Sequence, residues 1–542
     1  MNILFIIPAR GGSKGIPRKN LRPLAHKPLI SYSIQNALQS RYDGDVYVSS
    51  EDEEILHTAL KFGAKIHRRR NDLAGDAITL DPVIYHAYRS ISQQEGKQYQ
   101  LIVTLQPTSP LLQTESIDEA LRTMIDQPEI DTIISATDDT HLTWGKNEQG
   151  YFPQYKARLN RQYLPPNFKE TGGFLITRDR IIEENNRIGP KVSLQILARN
   201  EAIDIDNFED WNLCEYYIKK KKVVCAVIGY PQIGMGHIYN SLIIANEILN
   251  HQLSFLVDKK SDLGKAKLLE SNYEVHQQQS EKLVDDLLAM EPDIVINDLL
   301  DTSADYVQAL KASGIKVINF EDLGPGAAHA DLVFNAIYPE KEQLHNHYFG
   351  PSYFCAREEF ILTSPKALAP EIKNILLTFG GVDPNNLTIK VLELIYEHCV
   401  EQGITLNIVA GLGYQQYDSL RAFDQAHIHQ NISNISDFMR AADLAFTSAG
   451  RTTYELALMG VPTIVMAQNE REQSHFFAYP TYGFINLGLG TEVTAEQLLL
   501  NFNHLINNFD ARRAMRDKMF AHDLRNGKRR VIKLINDLIA AE

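Results

Sequence analysis

The chain has 542 residues, 44% of them hydrophobic, which is room for three or four folding units at about 150 residues each. Lys plus Arg number 54 and Asp plus Glu 68, a formal charge of −14, which makes the chain a poor candidate for general nucleic-acid binding, since that needs a broad basic face, and makes any basic cluster local. Four scattered cysteines with no CxxC pair exclude a zinc-knuckle or disulfide framework; an N-terminal apolar run too short for a signal peptide and the lack of any ~18-residue apolar run leave a cytoplasmic chain without a membrane span as the expectation.

Short apolar runs alternate with amphipathic stretches. Asn2–Ile7, Asp45–Ser49, Leu101–Leu105 and Asp131–Ser135 read as a first series of strands. Val223–Gly229, Leu253–Val257, Asp293–Asn297, Lys316–Phe320 and Asp331–Asn335 form a second, and Asn374–Phe379, Thr405–Ala410, Asp443–Thr447 and Pro462–Met466 a third. Strand–helix alternation predicts parallel sheets wrapped by helices, with ligands at the carboxyl ends of the strands. The lysine run 219–222 reads as a linker between a first domain, 1–218, and a second part, and a weaker break near Leu362–Pro370 divides the latter into 223–366 and 367–542.

The first strand runs into Pro8-Ala9-Arg10-Gly11-Gly12-Ser13-Lys14-Gly15-Ile16-Pro17-Arg18-Lys19-Asn20. Glycines permit close backbone approach, and Arg10, Lys14, Arg18 and Lys19 put four cations within ten residues of an acidic chain, a density suited to a triphosphate. Ala-Arg-Gly-Gly-Ser-Lys-Gly followed by Lys19-Asn20 resembles the signature of CMP-sialic acid synthetases, the cytidylyltransferases of nonulosonic acids. The resemblance continues through Arg69, Gln106-Pro107-Thr108-Ser109-Pro110, Arg161-Gln162-x-Leu164-Pro165 and Asp204-Ile205-Asp206. It implies a Rossmann-like nucleotide-diphospho-sugar transferase fold and a homodimer formed through this domain. Arg10, Lys14 and Lys19 would act on the phosphates, and Ser13, Asn20, Arg69 and Gln106 would bind CTP. Arg161 and Gln162 would bind the sugar acid, and Asp204 and Asp206 would bind Mg²⁺. Gln106 follows a strand, and its amide matches the donor–acceptor edge of cytosine. Asp204 and Asp206, two apart on an extended segment, would point the same way. Thr171-Gly172-Gly173 and Leu111-Leu112 depart from the family pattern.

In the second part, Val223–Gly229 leads to Gly234-Met235-Gly236-His237 and a helical pattern, Ile238–Leu249. A His at a helix start, kept neutral by the positive dipole end, suits a general base. Gly380-Gly381-Val382-Asp383 and Ser448-Ala449-Gly450-Arg451-Thr452-Thr453-Tyr454-Glu455 each follow a strand and open a helix, an anion-binding arrangement. These segments resemble the UDP-sugar hydrolase of pseudaminic acid synthesis and, more distantly, the lipid-linked N-acetylglucosaminyltransferase of peptidoglycan synthesis, both of the two-lobed glycosyltransferase-B (GT-B) fold. The resemblance implies His237 as the base that activates water. It implies a UDP site at Gly380, Gly381, Asp383, Gly450, Thr452, Thr453, Glu455 and Asn469. Asn240, Leu300 and Glu470 stand where that pattern has Arg, Tyr and Gln. The expectation is an α/β bifunctional enzyme acting on CTP, a nonulosonic acid and a UDP-sugar; the alternatives make the second part a glycosyltransferase or a non-catalytic UDP-sugar-binding module.

Overall fold

A computed structural model describes all residues except Lys14, Asp76, Pro231, Gln232, 341–343, Leu412, Asn431, Ser433 and 541–542. The chain divides into two compact units, Met1–Lys220 and Lys221–Glu542. Among the described residues no helix is long and apolar enough to cross a membrane.

The N-terminal unit contains β1 (Ile3–Pro8), a small hairpin of β2 (Pro23–Leu24) and β3 (Lys27–Pro28), β4 (Gly44–Ser50), β5 (Lys65–Arg68), β6 (Leu101–Leu105), β7 (Thr132–Asp138), a second hairpin of β8 (Trp144–Asn147) and β9 (Gly150–Pro153), β10 (Phe168–Arg178) and β11 (Val192–Ile196). Seven of these make one sheet in the order β11-β7-β10-β6-β1-β4-β5. Strand β1 is buried at every position, as a central strand covered on both faces must be. Ile3, Phe5 and Ile7 enter one hydrophobic cluster, and Leu4 and Ile6 enter another on the opposite face. The sheet is mixed, which corrects the expectation of a parallel one: β10 runs antiparallel to both β6 and β7. Its pairing with β7 shifts register between Glu170 and Leu175, around Gly172 and Gly173. There Ser135 Oγ receives the Phe174 N–H and the Thr171 hydroxyl at 2.9 and 2.8 Å, supplying partners where the ladder is interrupted.

The lysine run is shorter as a connection than its sequence suggests. Lys219 ends the helix Phe208–Lys219, whose start carries a capping box between Asn207 and Asp210, and Lys222 opens the next strand. Only Lys220 and Lys221 lie between.

The C-terminal unit has two all-parallel sheets. The first consists of β12 (Lys222–Val227), β13 (Gln252–Val257), β14 (Val275–Gln277), β15 (Ile294–Asp298), β16 (Lys316–Phe320), β17 (Leu332–Asn335) and β18 (His347–Phe349), ordered β14-β13-β12-β15-β16-β17-β18. The second consists of β19 (Asn374–Thr378), β20 (Thr405–Ala410), β21 (His427–Gln430), β22 (Leu444–Thr447), β23 (Thr463–Ala467) and β24 (Phe484–Leu489), ordered β21-β20-β19-β22-β23-β24. In both, the strand order reverses beside the first strand, and the crevice at the carboxyl ends there is where open α/β sheets bind ligands. This is the two-lobed α/β arrangement expected of a GT-B-like region. The division at 366/367 needs one correction. The last helix, Gly527–Ala540, presents Val531, Ile535 and Ile539 four residues apart, and they enter the core of the first lobe beside Val223, Ile296 and Phe334. Lys316 Nζ seals that contact by donating to the Leu538 carbonyl at 2.7 Å.

Candidate active sites

In the N-terminal unit the loop after β1 is held from beneath by groups at the ends of neighbouring strands. Gly11 N–H donates to Glu51 Oε1 at 2.7 Å, and Asn20 Nδ2 donates to the Arg10 carbonyl at 3.0 Å. A Cβ on Gly15 would lie 2.2 Å from the Asp206 carbonyl oxygen, so only glycine lets the loop approach that segment. Lys19 Nζ donates to the Ile205 carbonyl at 2.6 Å and stands 3.9 Å from Asp206 Oδ1. Burial lowers the Lys19 pKa, against the pull of Asp206 and Asp204. Arg69 is buried, donates to the Ser49 carbonyl at 2.5 Å and lies 3.8 Å from Glu51; burial lowers its pKa, opposed by Glu51 and reinforced by Arg10.

Arg10, Lys19, Arg69, Asp204 and Asp206 therefore share one neighbourhood. Gln106 opens the loop after β6, and its neighbour Thr108 accepts the Ile205 N–H at 2.8 Å, tying that loop to the two carboxylates. Ser13 is half-buried in the same loop as Gly11, and Lys14 lies outside the described residues. Arg18 is drawn away: it is ion-paired to Asp52 at 2.5 Å and to Glu54, so one of the four loop cations is already neutralised. Arg161 and Gln162 are exposed on the single turn Arg161–Tyr163, beyond the β8–β9 hairpin. Hydrogen bonds from Thr140 hold the Asp138 carboxyl below the usual range, and Arg161 adds to this from its turn.

The two carboxylates are not equivalent. The Asp206 side chain is 80% exposed. Asp204 is largely enclosed, with Gly172 against it: a Cβ there would sit 2.9 Å from the carboxyl carbon. Burial raises the Asp204 pKa and Asp206 adds to this, against the opposing pull of the nearby Thr108 hydroxyl and of Lys19. Its Oδ1 is buried without a hydrogen-bond partner, as are the hydroxyls of Thr108 and Ser109. A buried, unpaired carboxylate oxygen beside a second carboxylate suits a hard cation that completes its shell with ligand oxygens. Among the described residues no cluster of three or more His, Cys, Asp and Glu could hold a metal unaided.

In the C-terminal unit a cleft of about 340 Å³ is lined by both lobes. His237 stands in the first turn of the helix Gly236–Ala245, and its Nδ1 is 2.5 Å from Oδ1 of Asp298, the last residue of β15. A carboxylate only accepts, so Nδ1 carries a proton, and in the neutral ring the lone pair is on Nε2. The ring thus answers to a buried carboxylate as well as to the helix start, an influence the sequence reading did not include. Asn240 Nδ2 donates to the other Asp298 oxygen at 2.7 Å, and Asn240 Oδ1 accepts from Arg451 Nη2 of the opposite lobe at 2.7 Å. Arg451 Nη1 also lies 3.4 Å from Glu321 Oε1. Burial raises the Glu321 pKa to about 7, opposed by Arg451. Leu300 and Glu321, flanking the cleft after β15 and β16, have φ of 79° and 54°, a backbone region that non-glycine residues occupy at a cost.

The proposed nucleotide residues divide into two groups. Gly380, Gly381, Gly450, Thr452 and Glu455 line the cleft, and Arg357 Nε donates to Glu455 Oε1 at 2.8 Å. Asp383 and Asn469 also border it, but their side chains hold the fold. Asp383 accepts from Leu387 N, Thr388 N, Thr388 Oγ1 and Gln468 Nε2, and Asn469 caps the turn Glu470–Gln473. Thr453 is 1% exposed and donates to the Gly450 carbonyl at 2.9 Å, so it shapes the loop from inside. Sequence reasoning did not assign Glu51, Arg451, Glu321, Glu472 or His475. Only Arg451 carried a signal, as the unassigned position inside the Ser448–Glu455 motif.

The family described as Cytidylyltransferase matches residues 4–162. The chain is 36% identical over 227 residues to the pseudaminic acid cytidylyltransferase of Campylobacter jejuni, covering 40% of this chain and 97% of that protein. It is 22% identical over 536 residues to the Helicobacter pylori protein named pseudaminic acid cytidylyltransferase and UDP-2,4-diacetamido-2,4,6-trideoxy-β-L-altropyranose hydrolase, covering 93% of this chain and 95% of that one. An uncharacterized protein of Methanocaldococcus jannaschii is 31% identical over 282 residues, 48% of this chain and 58% of its own length. Among solved structures, MurG of Acinetobacter baumannii covers 58% of this chain and 99% of its own at 19% identity and a TM-score of 0.44.

Proposed function

The chain belongs, through its N-terminal unit, to the cytidylyltransferases of nonulosonic acids, and from that premise we propose that it carries two activities: this unit joins CTP to a nonulosonic acid, and the C-terminal unit hydrolyses a UDP-linked acetamido-deoxy sugar. In the first reaction the anomeric hydroxyl of the acid attacks the α-phosphorus of CTP and pyrophosphate leaves. Arg10, Lys14 and Lys19 hold the phosphates, and Ser13, Asn20, Arg69 and Gln106 serve the nucleotide. Arg161 and Gln162 meet the sugar acid, the arginine gripping its carboxylate. Asp204 and Asp206 would hold Mg²⁺, which when bound supplies charge neutralisation at the phosphates. The exposed aromatics Trp144 and Tyr151 of the β8–β9 hairpin, at 57 and 74%, and Tyr163 of the turn beyond it, at 67%, support a homodimer that covers them.

For the second reaction the carrying observation is the His237–Asp298 pair in a cleft bordered by two loops of phosphate-binding type. His237 Nε2 takes a proton from water as the water oxygen bonds to the anomeric carbon, and the bond from that carbon to the UDP oxygen breaks. Asp298 holds the ring in the required tautomer and balances the imidazolium that forms. Asn240 fits this role: it fills the place of the arginine in the related pattern and donates to Asp298. Incubating the protein with UDP-acetamido sugars and no acceptor should release UDP. UDP release only when an acceptor sugar is added would replace the hydrolase reading with a transferase.

A further inference from the structure

The cleft of the C-terminal unit contains a polar atom that the hydrolysis above does not use. His475 follows the turn Glu470–Gln473 and is 8% exposed. Its Nδ1 meets the main-chain carbonyl of Ala449, in the loop that leads from β22 to the helix Thr452–Met459. A carbonyl only accepts, so Nδ1 carries the proton and Nε2 presents a lone pair. Nε2 is buried without a hydrogen-bond partner in a side chain that lines the cleft. Burial lowers the ring's pKa to about 4, and Arg471, Arg451 and His237 push it the same way, so the ring remains a neutral acceptor near pH 7. His237, on the other lobe and lining the same cleft, is among the groups whose charge reaches His475.

This chemistry selects the ligand group. Phosphate oxygens are acceptors and find no proton at Nε2, so the diphosphate of a nucleotide-sugar is not what this atom reads. A hydroxyl or an amide N–H is. Such groups occur on both the uridine and the sugar, and the position opposite His237, which addresses the anomeric carbon, favours the sugar.

Resting on the hydrolase reading, we infer that His475 is a sugar-binding residue whose Nε2 accepts a hydrogen bond from a hydroxyl or acylamino N–H of the sugar opposite His237. Glu472, half-buried and three residues earlier, also lines the cleft; its Oε2 accepts the Gln468 N–H at 2.8 Å, and its other oxygen offers a second acceptor beside His475.

The test uses the full chain with His237→Ala, so that ligand is not consumed, and calorimetry with UDP and UDP-N-acetylglucosamine as probes. Adding His475→Phe should weaken the sugar nucleotide about tenfold or more and leave UDP within about twofold, while His475→Gln, which returns an acceptor, should recover most of the loss. Unchanged UDP binding also certifies that the variant is folded. Equal losses for both probes would move the contact to the uridine, and no loss for either would remove it; both overturn the inference. A His237→Ala chain that binds neither probe, with wild type also failing to bind UDP, overturns the hydrolase reading itself, and the inference with it.

Discussion

Asp204 shows what burial does to a single carboxylate. Enclosed against Gly172, with one oxygen lacking any partner, it is costly to ionise, and its pKa is raised. The folded carboxyl therefore holds its proton more tightly than the unfolded one, so the stability this group confers is present at low pH and lost as pH rises above the ordinary aspartate range. Asp204→Asn should flatten that pH slope and leave the melting temperature equal or higher at pH 8, while pyrophosphate release falls by about 10²-fold or more. A variant with full activity, or one that melts earlier at pH 8, would contradict the role given to this side chain. The four cysteines behave oppositely to reactive thiols. Cys214, Cys225, Cys355 and Cys399 are all buried, and burial pushes each pKa up to about 12. Native protein at pH 8 should leave all four unmodified by a thiol-specific chromogenic reagent, with titration only after denaturation; rapid native labelling of any one would show that its site opens.

At the scale of elements, Arg451 connects what the strands set apart. It ends the loop after β22, yet its guanidinium binds Asn240 on the helix Gly236–Ala245 and approaches Glu321 after β16. Asn240 in turn binds Asp298, which holds His237. The loop bordering the proposed nucleotide site is thus continuous with the residue proposed as base. Arg451→Ala and Asn240→Ala should each slow UDP-sugar hydrolysis, and a double-mutant cycle on kcat should show coupling of about 0.5–3 kcal/mol, since the two side chains share a hydrogen bond. Strict additivity would show that the contact has no part in catalysis. This chain of contacts was not legible in the sequence, because a side chain that crosses between lobes leaves no periodicity behind. The buried central strands were legible: Leu101–Leu105, Lys316–Phe320 and Thr405–Ala410 are found at the predicted residues, their apolar runs bounded by polar ones. Strand β10 was not, because only Phe168 precedes the polar Lys169-Glu170-Thr171 and two glycines then interrupt the run, and its direction cannot be read from composition. The edge strands β5 and β21 escaped for a related reason: two of four residues in β5 and three of four in β21 face solvent, and four residues carry too little alternation to register.

At the scale of the whole molecule, the two candidate sites draw on separate stretches of chain. The residues proposed for cytidylyl transfer run from Arg10 to Asp206, inside the unit Met1–Lys220, and the cleft residues run from Ile233 to His475, inside Lys221–Glu542. Among the described residues no side chain serves both sites, so damage to one chemistry should spare the other. If one chain carries two independent reactions, assaying both at once on wild type and His237→Ala will show it. Pyrophosphate release would be followed with CTP, Mg²⁺ and a panel including pseudaminic and legionaminic acids, and UDP release with UDP-acetamido sugars. Wild type should perform both reactions, and His237→Ala should lose UDP release by about 10²–10⁴-fold with pyrophosphate release unchanged. UDP release at the wild-type rate in His237→Ala, or a matching fall in pyrophosphate release, would contradict this expectation.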